Sequence, residues 1–330
     1  MHTCLITGGA GYIGSHFAHY MARLGKEVVI LDDLSLGHKQ AAAGLPLVVG
    51  STVNPAILDK VFKQYNIGAV VHFAAYSKVG ESVLHPGMYY QNNVCGGLEL
   101  MKAMIRHGVD NLVFSSTCAV YGEPVSVPIT EEHPQKPINP YGMSKLVFER
   151  MAMDLSRASS LRPVFLRYFN AAGADPEGEL GEDHHPETHL IPITINAALG
   201  RLESVSIFGD DYDTEDGTCV RDYIHVTDLA SAHLKALEYL NSGGEPDAFN
   251  LGTGGGYSVR QVIDAVCKVT GLPVKAVPSP RRPGDPSTLV SSNEKAVKTL
   301  GWTPELSGID NIIGAAFDWM KAHPDGYGKQ

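Results

Sequence analysis

Apolar residues in the first half of the chain fall in short, near-continuous runs. TCLIT (3–7), EVVIL (27–31), LPLVV (45–49), AVVHFA (69–74), NLVFSS (111–116) and PVFLRYF (163–169) do not alternate with polar residues, so they read as strands buried on both faces. Segments of helical length, 11–24, 55–65, 88–107 and 140–157, lie between them. Strand–helix alternation of this kind predicts the α/β class, a doubly wound parallel sheet covered by helices on both sides. After about Asn170 the rhythm breaks, and residues 171–220 and 270–288 become rich in Gly, Pro, Asp and His. DYIHVTDLASAHLKALEYL (222–240) and AFNLG (248–252) again read as helix and strand, so the second half is expected to weave back into the first.

Composition removes several classes. The 330 residues are 44% hydrophobic and 19% charged, an ordinary globular balance, and the net charge of −10 disfavours a partner built on phosphate contacts such as nucleic acid. Cys4, Cys95, Cys118, Cys219 and Cys267 are scattered, odd in number and form no C-x-x-C pair, which predicts reduced thiols in a cytoplasmic protein. No apolar run approaches the roughly 18 residues of a membrane span, and no basic-then-apolar leader opens the chain.

The segment after the first strand, ITGGAGYIGSH, supplies Gly8, Gly11 and Gly14 at a three-residue spacing. Glycines there permit a tight turn and let a pyrophosphate lie against the next helix's N-terminus. The second strand ends in LDDLSLG, with Asp32 eighteen residues beyond Gly14. A carboxylate at that place accepts from ribose hydroxyls and repels a 2′-phosphate, and no basic residue follows before Lys39, so NAD is favoured over NADP.

NPYGMSKLVFER (139–150) reads as a helix start, with Asn139 as N-cap and Pro140 as the first residue. Met143, Leu146, Val147, Met151 and Leu155 form an apolar stripe, and Tyr141 and Lys145 stack one turn apart on another face. A cation about 5 Å from a phenol favours the phenolate by roughly 3 kcal/mol at an effective dielectric of about 20. That lowers its pKa by about two units. With a second positive charge nearby, such as an oxidised nicotinamide, Tyr141 would serve as a base near pH 7. Thr117 falls at the carboxyl end of the fifth strand, where ligands of doubly wound sheets collect.

The succession TGGAGYIG, LDDL, HFAA, VYG, YGMSK, RYFN, GTCVRDYIHVTDLA and RRPGD closely resembles the extended short-chain dehydrogenase/reductase family. The stretches 80–94, 168–183 and 207–226 are similar to its nucleotide-sugar 4-epimerases, and the likeness runs over essentially the whole chain. It implies a Rossmann-like NAD-binding domain over residues 1–170, with 219–252 returning to it, and a smaller mixed α/β domain over 171–330 for a UDP-sugar. The implied activity is an isomerase that interconverts UDP-glucose and UDP-galactose through a transient 4-ketose, in a homodimer joined through 88–107 and 140–157.

Carried over position by position, Tyr141 is the base on the sugar O4′, Lys145 tunes it and holds the nicotinamide ribose, and Thr117 hydrogen-bonds O4′. Gly8, Gly11, Tyr12, Ile13 and Gly14 face the pyrophosphate, while Asp32, Asp33, Phe73, Ala74, Ala75, Asn93, Ser115 and Phe169 match other NAD contacts. Asn170, Leu190, Phe208, Arg221, Arg282 and Asp285 match UDP-sugar positions; the two arginines can fork onto a diphosphate, and Asp285 can accept from a ribose hydroxyl. Four positions depart from the family pattern. Ser51 stands where an adenine-binding aspartate is usual, Ser77 where some members carry a cofactor-contacting lysine, His189 in place of an asparagine, and Leu289 at the wall that governs sugar size.

His184, His185 and His189 invite a metal reading. Pro186 interrupts any helix that would align 185 with 189, and no matching acid motif stands beside them, so no metal is expected. Other UDP-sugars, UDP-xylose/arabinose or the N-acetylhexosamines, remain alternatives. A 4,6-dehydratase is less favoured, because an Asp–Glu pair would have to follow the threonine and Thr117 is followed by Cys118 and Ala119. A non-catalytic dinucleotide sensor would need neither the Tyr–Lys pair nor the arginines.

Overall fold

The computed structural model describes residues 2–282 and 285–328; Pro283 and Gly284 of the RRPGD motif lie outside the described residues. Strands β1 (Thr3–Thr7), β2 (Val28–Asp32), β3 (Leu47–Val49), β4 (Ile67–His72), β5 (Asn111–Ser115) and β6 (Arg162–Tyr168) form close to the predicted runs. A seventh strand, Asp247–Leu251, pairs with β6, giving the sheet order 247–251, β6, β5, β4, β1, β2, β3. Every pairing in this sheet is parallel. Every position of β1, β2 and β5 is buried, which is why their sequences do not alternate.

Helices α1 (Tyr12–Arg23), α2 (Pro55–Gln64), α3 (Val79–Leu84), α4 (Pro86–Tyr89), α5 (Gly96–His107) and α6 (Pro140–Ala158) follow in order, then α7 (Leu190–Ala198) and α8 (Val226–Asn241). One face of the sheet packs on α1 and α8 through Phe17, Ile30, Leu229 and Phe249. The other packs on α2, α5 and α6 through Leu58, Leu100, Phe114 and Phe148. β1 carries β4 on one side and β2 on the other, so the strand order reverses there and the loops leaving β1 and β4 diverge into a crevice.

Three expectations change. The predicted helix 88–107 is broken into α4, a π turn over Tyr90–Cys95, and α5. Asn93 lies in that turn, and Gly97 lets α5 pass so close to α6 that a Cβ would stand 2.4 Å from the Phe148 ring. Residues 222–240 divide into a strand, Tyr223–His225, and α8, whose start is capped by His225 Nδ1 accepting from Thr227 N–H at 3.1 Å. On α6 the N-cap is as predicted, Asn139 Oδ1 accepting from Gly142 N–H at 2.9 Å, while of the stripe Leu146, Met151 and Leu155 pack inward and Met143 does not. Met143 is 37% exposed, while Ser144, Lys145, Leu146, Phe148, Glu149 and Ala152 are buried. The helix presses Phe148 onto Phe114, with ring centroids 3.8 Å apart, and turns Lys145 and Glu149 inward beside the buried Leu146.

The second half supplies smaller ladders. Asn170–Ala172 pairs with Tyr223–His225, and Val220–Arg221 runs between Tyr257–Ser258 and Thr288–Leu289. α7 packs with helices 259–270 and 309–322 around Ile191, Ile195, Val262, Ile312 and Trp319. All five cysteines are unpaired, and among the described residues no helix is long and apolar enough to cross a membrane.

Candidate active site

The glycine loop after β1 is a steric necessity. Gly8 has φ +71°, and a Cβ there would lie 2.5 Å from Ala74 N; at Gly14 it would lie 2.2 Å from the Gly8 carbonyl oxygen. Gly11 caps α1 with no side-chain hydrogen bond, leaving the helix's first N–H groups for an anionic ligand. Phe73 and Ala74 both donate their N–H to Thr7 O, at 2.9 and 3.1 Å, which seals the crossing, and Ala75 continues the same loop. Phe73 packs on Phe17 and His233, and Ile13 packs on the same core.

Asp32 is buried at the end of β2, where Oδ2 accepts from Ala10 N–H and Oδ1 from Leu34 N–H, each at 2.9 Å. Burial raises its pKa, the two N–H groups oppose that, and each oxygen retains a lone pair for a ribose hydroxyl. This cradle, helix start and carboxylate fit a dinucleotide without a 2′-phosphate. Asp33 turns outward to Ser35 N–H at 3.0 Å, and Ser51 accepts from Val53 N–H at 3.3 Å.

Two expected contacts are engaged elsewhere. The Tyr12 phenol donates to Gly173 O at 2.7 Å, so Tyr12 can offer the pyrophosphate its backbone while its side chain ties α1 to the 173 loop. Asn93 accepts from Tyr76 and Asn92 and donates to Tyr76 O and Ser144 Oγ, which uses all four of its hydrogen-bonding positions. It holds the 73–77 loop to α6 rather than reaching the ligand directly. Ser77 is exposed, and its neighbour Lys78 donates to His185 O at 3.2 Å.

At the end of β5 the predicted triad assembles. Thr117 is buried with Oγ1 accepting from Ala119 N–H at 3.1 Å, and its hydroxyl lies near enough to the Tyr141 phenol to act on its pKa. Lys145, 3% exposed, donates from Nζ to Ser115 O at 2.7 Å and lies 4.6 Å from the Phe114 ring centroid. The electrostatics differ from the sequence expectation. Burial pushes the Tyr141 phenol up to about 12, opposed by Thr117, and burial brings Lys145 down to about 7, opposed by Glu149. The lysine's hydrogen bond goes to a carbonyl and not to the phenol, and desolvation outweighs the attraction that the spacing alone suggested. Ser115 Oγ makes a short hydrogen bond with the Tyr168 phenol, a neighbour that carries no motif signal.

On the sugar side, Phe169 and Leu289 pack on one small apolar cluster with Cys118, Val120 and Leu146, beside Thr117. Asn170 donates to Asp222 O at 3.0 Å, and Leu190 opens α7. Arg221 and Asp285 pair with each other, Arg221 also donating to Pro286 O at 2.8 Å, so this arginine builds the wall instead of standing free. Arg282 stacks 3.9 Å from the Phe208 ring centroid and has no carboxylate partner among the described residues.

The histidine cluster is also rearranged. His184, not His185, joins His189, and the missing acids come from Glu182 and Glu187, with donor atoms within 4.8 Å of one another. Nδ1 of His189 is in direct hydrogen-bonding contact with Glu182, and His184 Nδ1 lies 3.1 Å from the same oxygen. Burial alone would lower His189, but Glu182 holds it above the usual imidazole range, so the group is a charged hydrogen-bonded network.

The family profile described as "NAD dependent epimerase/dehydratase family" matches residues 4–252. The chain belongs to that family. It is 51% identical to a UDP-glucose 4-epimerase of Halalkalibacterium halodurans, over 98% of this chain and 97% of the relative. The crystal structure of the Brucella ovis UDP-glucose 4-epimerase with NAD superposes with a TM-score of 0.94 at 47% identity, covering 96% of this chain and 98% of that one. The Bifidobacterium longum enzyme, crystallised with NAD⁺ and UDP, gives 0.93 at 40% identity, covering 98% and 99%. This epimerase/dehydratase chain is therefore an NAD-dependent enzyme, and the glycine cradle and Asp32 are where its cofactor fits.

Sequence reasoning missed the layer behind the triad. Ser116, Glu149 and Arg167 form a buried network whose members lie 18 to 51 positions apart, and only the helix spacing of Lys145 and Glu149 hinted at it.

Proposed function

We propose that this chain interconverts UDP-glucose and UDP-galactose by removing and returning the hydrogen at C4′, with no net redox change. The observation that carries this reading is the meeting of Thr117, Tyr141 and Lys145 at one strand end, alongside the glycine cradle. The likeness to UDP-glucose 4-epimerases over nearly the whole chain supports the same substrate pair.

NAD, which the glycine cradle and Asp32 would hold, would supply the hydride acceptor and a positive charge. Tyr141 takes the O4′ proton, Thr117 holds the phenol in place, and the Lys145 ammonium favours the phenolate. Phe169 and Leu289 offer an apolar wall with no directional hydrogen bonds, against which a ketose can turn its other face. Arg282 and His189 supply cations for the diphosphate. Cys118 is buried, with its thiol pushed well above its usual pKa, and Ala119 carries no proton, so the C5 and C6 chemistry of a dehydratase has no agent at that turn.

Purified enzyme incubated with a panel of UDP-sugars should convert UDP-glucose and UDP-galactose into each other and act weakly on the N-acetylated pair, because Leu289 fills the wall. Leu289→Ser should raise the N-acetylated activity relative to the parent pair by about tenfold, the usual worth of a few methylenes in a pocket. An unchanged ratio would remove Leu289 from that role.

We also assign the enzyme as a homodimer joined through the faces of α5 and α6. Ile105 and Met143 leave apolar side chains exposed on these two helices, where a second copy would cover them. Light scattering at micromolar concentration should give twice the chain mass, and a monomer would contradict the assignment.

A further inference from the structure

Tyr141, Lys145 and Glu149 follow one another at four-residue intervals on α6, so they share a face of the helix. Glu149 is 3% exposed and fully engaged. Its Oε1 accepts from Ser116 Oγ at 2.5 Å and from Arg167 Nε at 3.0 Å, and its Oε2 accepts from Arg167 Nη2 at 2.5 Å. Ser116 stands between Ser115, whose carbonyl accepts from Lys145 Nζ at 2.7 Å, and Thr117, which neighbours the Tyr141 phenol. Arg167 continues to the Tyr121 phenol at 2.9 Å, and Tyr121 donates to Asn250 Oδ1 at 2.7 Å. One carboxylate thus ties α6 to the end of β5, to β6 and, through Arg167 and Tyr121, to the strand 247–251.

A buried ion pair of this kind is weak evidence for stability, since well-packed apolar residues often do as well. Its position suggests another use. Lys145 meets the Ser115 carbonyl and the Phe114 ring on β5; the titratable groups that interact with it are His72 on β4 and Glu149 on its own helix, with Arg167 on β6 behind Glu149. Burial holds His72 neutral, and burial raises the phenols of Tyr121, Tyr141 and Tyr168 and the Cys118 thiol. Glu149 is the carboxylate that acts on Lys145.

We propose that Glu149 is a positioning residue of the reaction centre: paired with Arg167, it supplies the counter-charge for the Lys145 ammonium and fixes residues 115–117 against α6. The proposal rests on the reading of Tyr141 and Lys145 as the proton-handling pair. Full-length enzyme labelled with ¹³C-lysine, with the Lys145 signal assigned by its loss in Lys145→Met, reports the ammonium directly. In Glu149→Gln the Arg167 charge stays while its partner goes, so the Lys145 midpoint should fall by at least about one pH unit, a tenfold change. Since an unpaired buried arginine can prevent folding, Glu149→Gln with Arg167→Gln serves as the second variant. Its Lys145 midpoint should lie below wild type and above that of the single variant. A wild-type midpoint in either folded variant would overturn the proposal. The readout needs no turnover, so a shifted midpoint in an enzyme that fails to epimerise UDP-glucose would count against the proposed substrate alone.

Discussion

Tyr141→Phe is expected to keep NAD bound and lower turnover by at least about a hundredfold, the usual worth of a positioned general base. The substitution removes one oxygen from a buried ring and leaves α6 and its Asn139 cap intact, so folding is not the variable. What disappears is the phenol oxygen proposed to receive the O4′ proton. Lys145 is turned to the Ser115 carbonyl, to which Nζ donates at 2.7 Å, and Thr117 carries only a neutral hydroxyl, so neither is placed to take that proton in its stead. Steady-state rates, together with the nucleotide released on denaturation, separate the two outcomes. Near-wild-type epimerisation with normal NAD content would dismiss Tyr141 as the base.

Gly14→Ala should abolish cofactor binding. Position 14 lies in α1 with an ordinary helical backbone, where alanine is intrinsically favoured over glycine by about 1 kcal/mol. Propensity alone therefore predicts a more stable protein. The added Cβ would instead stand 2.2 Å from the Gly8 carbonyl oxygen and 3.0 Å from Gly9 Cα, both backbone atoms that no rotamer change can move. Either α1 or the loop must shift, and with it the N–H groups that would meet the pyrophosphate. NAD affinity is expected to fall by at least about a hundredfold, or roughly 2.7 kcal/mol, with activity lost in parallel. Titration calorimetry with NAD is the check, and wild-type affinity would mean that the cradle does not hold the cofactor.

The parallel sheet was legible because buried strands cannot alternate, and the glycine loop because its position between β1 and α1 leaves few other uses for three glycines. That Thr117 would meet the Tyr141–Lys145 pair at the end of β5 was expected from strand ends and helix spacing only together with the family resemblance. Their electrostatics were not, because a four-residue spacing carries no information about burial, and here burial decides both pKa shifts. The setting of Asn93 was hidden for a related reason: the wide π turn that aims it at Tyr76 and Ser144 has no sequence signature. Arg221 and Asp285 stand 64 positions apart, and only the pairing of Val220–Arg221 with Thr288–Leu289 brings them into contact.

Only the C4′ hydrogen and the exchangeable O4′ proton are expected to move. With Tyr141 as the proposed base on O4′, and with Cys118 and Ala119 providing no acid or base for C5 and C6, the C4′ hydrogen should return without meeting solvent. UDP-glucose turned over in D₂O should therefore give UDP-galactose of unchanged mass, with no deuterium on any carbon, by mass spectrometry of the isolated sugar. Loss of water, or deuterium bound at C5 or C6, would contradict the account.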